Sequence, residues 1–188
     1  MKIRSRSLVI AAALSGMLAV GVPAAQAEER SCRGTLGSIT VDNLRVPSGA
    51  RCELNGTRVK GTIKVEGNAV LVASNVRVVG NVQAENAARV VVRSGSTVGG
   101  SVQLKQGGAA RVVGTTVEGD IQFESNRRAL AALRNTVGGN IQVFQNTGGV
   151  EIRGNRVDGN LQCKSNNPAP VGGNNIVKGN KEDQCSRL

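Results

Sequence analysis

One four-residue phrase governs what this chain can fold into. Gly139-Asn140-Ile141-Gln142 returns as Gly80-Asn81-Val82-Gln83, Gly100-Ser101-Val102-Gln103, Gly119-Asp120-Ile121-Gln122 and Gly159-Asn160-Leu161-Gln162, with looser copies at Gly61-Thr62-Ile63-Lys64 and Gly179-Asn180-Lys181-Glu182. From Gly61 to Gly179 the leading glycines are spaced 19, 20, 19, 20, 20 and 20 residues apart. So regular a period describes one small unit stacked on copies of itself, because a single copy cannot bury its apolar face alone.

Alignment on the leading glycine makes the columns legible. The third residue of each unit is Ile39, Ile63, Val82, Val102, Ile121, Ile141 and Leu161; the fifth is Val41, Val65, Ala84, Leu104, Phe123, Val143 and Cys163. Between them stand Thr40, Lys64, Gln83, Gln103, Gln122, Gln142 and Gln162. Apolar, polar, apolar is the period-two signature of a strand with one buried face, so the glutamines point outward, one above another.

Two residues before each leading glycine lies a second column, Val59, Val78, Val98, Val117, Val137, Val157 and Val177. A β-branched residue repeated at one phase marks an inward strand position, each worth roughly 1.5–3 kcal/mol when fully buried. Three residues further upstream stand Gly56, Asn75, Gly95, Gly114, Arg134, Gly154 and Asn174. Gly and Asn tolerate positive φ, which places a turn here, with Arg134 the exception. A third, more variable apolar segment covers Val70 to Val72, Val90 to Val92, Val112-Val113, Val150 and Ile152.

Three short strands and three turns in about 20 residues make one coil of a parallel β-helix. The expected architecture is therefore all-β, a single-stranded right-handed parallel β-helix (β-solenoid) of about seven coils with disulfide-bonded caps. Residues 28-60 form an N-terminal cap and first irregular coil, residues 61-178 the regular coils, and residues 179-188 a C-terminal cap. Pro47, Pro168 and Pro170 lie near the ends and spare the middle coils, where a proline would remove a ladder hydrogen bond. A core with two Phe and no Trp or Tyr must be thin, which suits the bore of a solenoid.

Residues 1-27 read as a secretory signal: basic Lys2, Arg4 and Arg6, an apolar run from Leu8 to Val22, and Ala25-Gln26-Ala27 as a small-residue cleavage site. A membrane anchor is the alternative, but the apolar run is short and broken by Gly16 and Gly21. Removing the three basic residues from the net charge of +11 leaves +8 for the exported part. In an oxidising space the four cysteines are expected as disulfides, and three pairings are possible. Cys32 and Cys52 sit together before the regular coils and Cys163 and Cys185 after them, so the expected bonds are Cys32 to Cys52 and Cys163 to Cys185. The second closure is worth about 3 kcal/mol by chain-entropy arithmetic.

The phrase G-N-[IV]-Q every 19 to 20 residues resembles bacterial exported parallel β-helix proteins. The end segment, Asn167-Pro168, Gly172-Gly173-Asn174-Asn175, Val177 to Glu182 and Gln184-Cys185, resembles the tail of a group of small secreted bacterial proteins of no assigned activity. The likeness spans Gly61 to Cys185 and implies architecture and export, with no catalytic residue to carry over. Bactofilins are similar as small β-helices that polymerise, but they are cytoplasmic, and the leader and cysteines depart from their pattern.

The residue types restrict the chemistry. With no histidine there is no His-based triad, and without histidine or C-x2-C spacing there is no zinc pattern; no cofactor or metal is implied. Carboxylates are the remaining catalytic candidates, in a row of Glu66, Glu85, Lys105 and Glu124 and in the pair Glu118 and Asp120. The row also reads as a solvated salt-bridge ladder, and the pair as ordinary turn acids. Thr97, Thr116 and Thr136 are too few rungs for an ice-matching face.

The basic residues of the exported part are 15 Arg and six Lys, a bias toward planar contacts with phosphate or carboxylate. Arg77, Arg93, Arg111, Arg153 and Arg156 are the candidate binding face, with a generally charged rod surface as the plain alternative. Almost no aromatic platform exists for bases or sugar rings, which disfavours specific nucleic-acid recognition. The stretch Arg127-Arg128-Ala129-Leu130-Ala131-Ala132-Leu133-Arg134 breaks the pattern: either a bulged or helical contact loop bearing Arg127, Arg128 and Arg134, or a variant strand with Leu130 and Ala132 inward.

These features point to an exported, non-enzymatic structural or binding protein, secreted or cell-wall associated, whose partner is an anionic cell-wall polymer or another protein. The rival expectations are a polysaccharide-modifying enzyme of β-helix type and a surface protein that self-assembles through its coil ends. No transmembrane segment is expected, and the oligomeric alternatives are a monomer or an end-to-end oligomer.

Overall fold

A computed structural model describes residues 28–93 and 95–188; the expected leader at residues 1–27 lies outside them. The described chain contains strands and turns and no helix. The strands form three parallel sheets of nine, eight and eight strands, and in each sheet neighbouring strands come from successive coils. This is the parallel β-solenoid expected from the period.

The first sheet carries the glutamine phrase. Val82–Glu85 pairs with Val102–Lys105, which pairs with Ile121–Glu124, so that Gln83, Gln103 and Gln122 stand in register. Each glutamine donates from Nε2 to the Oε1 of the next at about 3.0 Å, from Gln83 through Gln103, Gln122 and Gln142 to Gln162. Glu182 ends the ladder by accepting from Gln162 at 2.9 Å. Inside, Ile63, Val82, Val102, Ile121, Ile141 and Leu161 are fully buried. The third sheet is built of two-residue strands whose inward members, Val59 to Val157, form the expected valine column.

The first coil departs from the alignment on Gly37. Leu44 and Val46 lie beside Ile63 and Val65, whereas Val41 lies beside Val59 in the third sheet. The backbone position of Gly61 is held in the preceding coil by Asp42, whose carbonyl accepts the Gly61 N–H. Gly37 therefore does not lead a repeat; the phrase begins there without its glycine, and Ile39 is left 37% exposed.

The repeating glycines serve two different needs. Those upstream of the valines, Gly56, Gly95, Gly114 and Gly154, have φ between 58° and 71°, and Asn75, Arg134 and Asn174 adopt the same left-handed backbone. The leading glycines are required for close approach instead. A Cβ on Gly139 would lie 3.0 Å from the carbonyl carbon and oxygen of Gly119 in the coil before it.

Two buried polar columns hold the corners. Asn126, Asn146 and Asn166 form one, and Asn135, Asn155 and Asn175 the other, all nearly inaccessible to solvent. Asn146 donates from Nδ2 to Asn166 Oδ1 at 2.9 Å and to the Phe123 carbonyl at 3.0 Å, while its own Oδ1 accepts from the backbone and side chain of Asn126. Buried polar groups are tolerable when satisfied in this way, and such ladders fix the register of one coil on the next.

The disulfides join Cys32 to Cys52 and Cys163 to Cys185, with Cα separations of 5.6 and 5.2 Å. All four cysteines are buried in the core near its two ends.

Candidate functional site

The middle coils of the second sheet carry several arginines close together. Arg89–Arg93 pairs with Ala109–Val113, which pairs with the strand Leu130–Leu133. The register sets Arg111 beside Val91, and Val113 between Arg93 and Leu133. Because side chains alternate across a strand, Arg89, Val91 and Arg93 share the outer face. Arg134 follows in the turn. These residues border an open depression of about 570 Å³ lined by Arg89, Arg93, Arg111 and Arg134 around Val91 and Val113.

All four arginines are exposed, and among the described residues none is ion-paired with a carboxylate. Arg93 donates from Nε to Ser74 Oγ at 3.1 Å, which steadies its stem without neutralising it. The floor is apolar: Val91 is 5% exposed. Aliphatic arginine stems packed over such a floor keep their charged ends in solvent, where an anion can reach them.

The five arginines of the candidate face are divided among different surfaces. Arg93 and Arg111 enter the groove together. Arg153 lies further along the second sheet and donates to Glu151 at 3.3 Å. Arg77 and Arg156 belong to the third sheet, with Thr97, Thr116 and Thr136 between them. Arg89, which is not among the candidate residues, joins the groove, and the spacing Arg89, Val91, Arg93 on one face of a strand is its signal in the sequence. The stretch from Arg127 to Arg134 is a variant strand with Leu130 and Ala132 buried; Arg127 and Arg128 lie exposed in the turn before it.

Of the carboxylate candidates, Glu66, Glu124 and Asp120 are drawn into other bonds. Glu85, Lys105 and Glu124 stand in register on the first sheet, and Lys105 bonds Glu124 at 3.0 Å. Glu66 accepts from the Ser48 backbone at 3.0 Å and from Arg45 at 3.1 Å, and these bonds, that of Ser48 foremost, hold its carboxyl below the usual range. Lys64, Glu66, Gln83, Glu85 and Lys105 border a second depression of about 540 Å³ whose charges are mixed. Asp120 caps the next coil, accepting the Asn140 backbone N–H at 2.6 Å and the Asn140 side chain at 3.2 Å. In other coils the same task falls to Asn81 and Asn140. Among the described residues no group of three or more His, Cys, Asp or Glu side chains is placed to hold a metal ion.

Fold and site together define a parallel β-solenoid with a disulfide near each end and an arginine-lined groove on one sheet. No family model, no curated protein and no solved structure matches the chain. Among the described residues no helix is long and apolar enough to cross a membrane.

Proposed function

We propose that this chain is an exported binding protein of the bacterial cell surface or medium, a rod that presents a basic face to an anionic polymer. The observation that carries this reading is the groove on the second sheet, lined by four arginines of which none, among the described residues, is ion-paired with a carboxylate. Uncompensated charge of one sign on an otherwise mixed surface focuses the field and raises the local concentration of anions. A stack of like coils also meets a repetitive polymer with matching repetition. The leader-like residues 1–27 and the four cysteines support export.

The test is association with purified bacterial cell wall at rising ionic strength. Binding at low salt that falls away as the Debye length shrinks toward 8 Å supports the reading. No association even at low ionic strength contradicts it.

A further inference from the structure

We infer that the groove of Arg89, Arg93, Arg111 and Arg134 is a site for a phosphate-rich oligoanion, in preference to a carboxylate polymer; this rests on the binding reading above. The four arginines that line the depression come from three successive coils, so they reach it from different backbone positions. Arg89 and Arg93 come from the two ends of one strand, Arg111 from the middle of the next, and Arg134 from the turn after the strand beyond. A carboxylate brings one negative charge on two coplanar oxygens, which one guanidinium fork neutralises even though further lone pairs remain to accept. A phosphate presents oxygens in tetrahedral directions, which arginines arriving from different sides can share.

Size and charge agree. At about 30 Å³ of liquid volume per water, a depression of about 570 Å³ has room for an anion several times larger than one phosphate. Four positive charges without an internal counter-charge call for a ligand that brings several negative ones. The floor of Val91 and Val113 offers no side-chain hydrogen-bond partner, so recognition falls to the arginines at the rim.

Arg134 adds an independent observation. It occupies a left-handed turn at φ 51° where the other coils have Gly or Asn. A long side chain costs more at this turn than Gly or Asn does, although Gln106, Ser125 and Gln145 take the same left-handed backbone at another turn of their coils. It lines the groove from the turn after Leu130–Leu133, whereas Arg89 opens its own strand at the other end.

The experiment is titration calorimetry on the exported chain at low ionic strength with inorganic tripolyphosphate, citrate and polygalacturonate as probes. Native protein, Arg111→Gln, Arg134→Asn and the third-sheet control Arg77→Gln are compared, each with its thermal midpoint. Tripolyphosphate is expected to bind about 10-fold or more tightly than citrate. Arg111→Gln and Arg134→Asn are each expected to weaken it about 10-fold, and Arg77→Gln less than about 2-fold. Arg134→Asn is expected to raise the thermal midpoint while weakening binding, a combination that loss of folding cannot produce. Binding of polygalacturonate or citrate as tight as that of tripolyphosphate overturns the phosphate assignment and leaves the binding reading standing. Equal losses in Arg77→Gln and Arg111→Gln overturn the site, and failure of every probe to bind overturns both.

Discussion

Asn146 and Asn166 are joined across one coil step by a buried hydrogen bond of 2.9 Å from the Asn146 Nδ2 to the Asn166 Oδ1, and neither side chain has appreciable access to water. The side chain of Asn146 also bonds the Phe123 carbonyl and the backbone N–H of Asn126. Truncating it strips partners from several buried groups at once, each costing about 1–3 kcal/mol when left unsatisfied. Asn146→Ala is therefore expected to lower stability by about 3 kcal/mol in urea unfolding. A loss below about 1 kcal/mol would mean that water replaces the ladder.

The two glycine columns predict opposite tolerance. Gly114 has φ 58° and a Cβ added to it would meet open space, and Asn75 holds the same turn at φ 51°. Gly114→Asn is expected to change stability by no more than about 0.5 kcal/mol. Gly139→Ala forces a methyl group against the Gly119 carbonyl and is expected to cost about 1–3 kcal/mol. Equal unfolding midpoints for the two variants would contradict this division.

Much of the fold is legible before any coordinates, because the period, the valine column and the outward glutamines each follow from one residue type at one phase. The Gly37 coil misleads for the same reason: it has a glycine at a plausible interval, but the register depends on Leu44 and Val46, which carry no glycine before them. The asparagine columns repeat every 20 residues in plain view, at Asn126, Asn146 and Asn166 and at Asn135, Asn155 and Asn175. They escape notice because Asn at a turn reads as an exposed residue, and only stacking shows it buried. The groove was half legible: Arg93, Arg111 and Arg134 were candidates, but their convergence with Arg89 depends on cross-coil register that spacing alone does not reveal.

Acid should loosen the N-terminal end first. The Asp42 carboxyl is held below its ordinary value of 3.8, chiefly by the hydrogen bond from Lys60, and that of Glu66 below 4.5 by the Ser48 N–H and Arg45. A depressed carboxyl contributes stability that is complete above its unfolded value and is lost as pH falls through the folded one. Amide exchange near Ser48 is expected to be unchanged from pH 7 to about 5, once corrected for intrinsic rates, and to rise below about 4.5. Glu66→Gln should remove part of that rise; identical profiles for both proteins would contradict it.

The ends are expected to resist stacking. Arg30 stands beside Leu44 and Lys181 beside Leu161, so a cation takes the inward column at each end of the nine-stranded sheet. In-register stacking of a second copy would bring Arg30 against Lys181, a like-charge contact of the kind that blunts sheet edges. Sedimentation should show a monomer over the accessible concentration range and association when Arg30→Val and Lys181→Val are combined. Filaments of the native chain would contradict this.

The most direct test of the central claim compares native protein, Arg111→Gln and Arg156→Gln in binding to purified cell wall as salt is raised. The account predicts binding that weakens with salt, a loss of about 10-fold on removing Arg111 from the groove, and little change on removing Arg156 from the third sheet. Native-like binding by Arg111→Gln would contradict it.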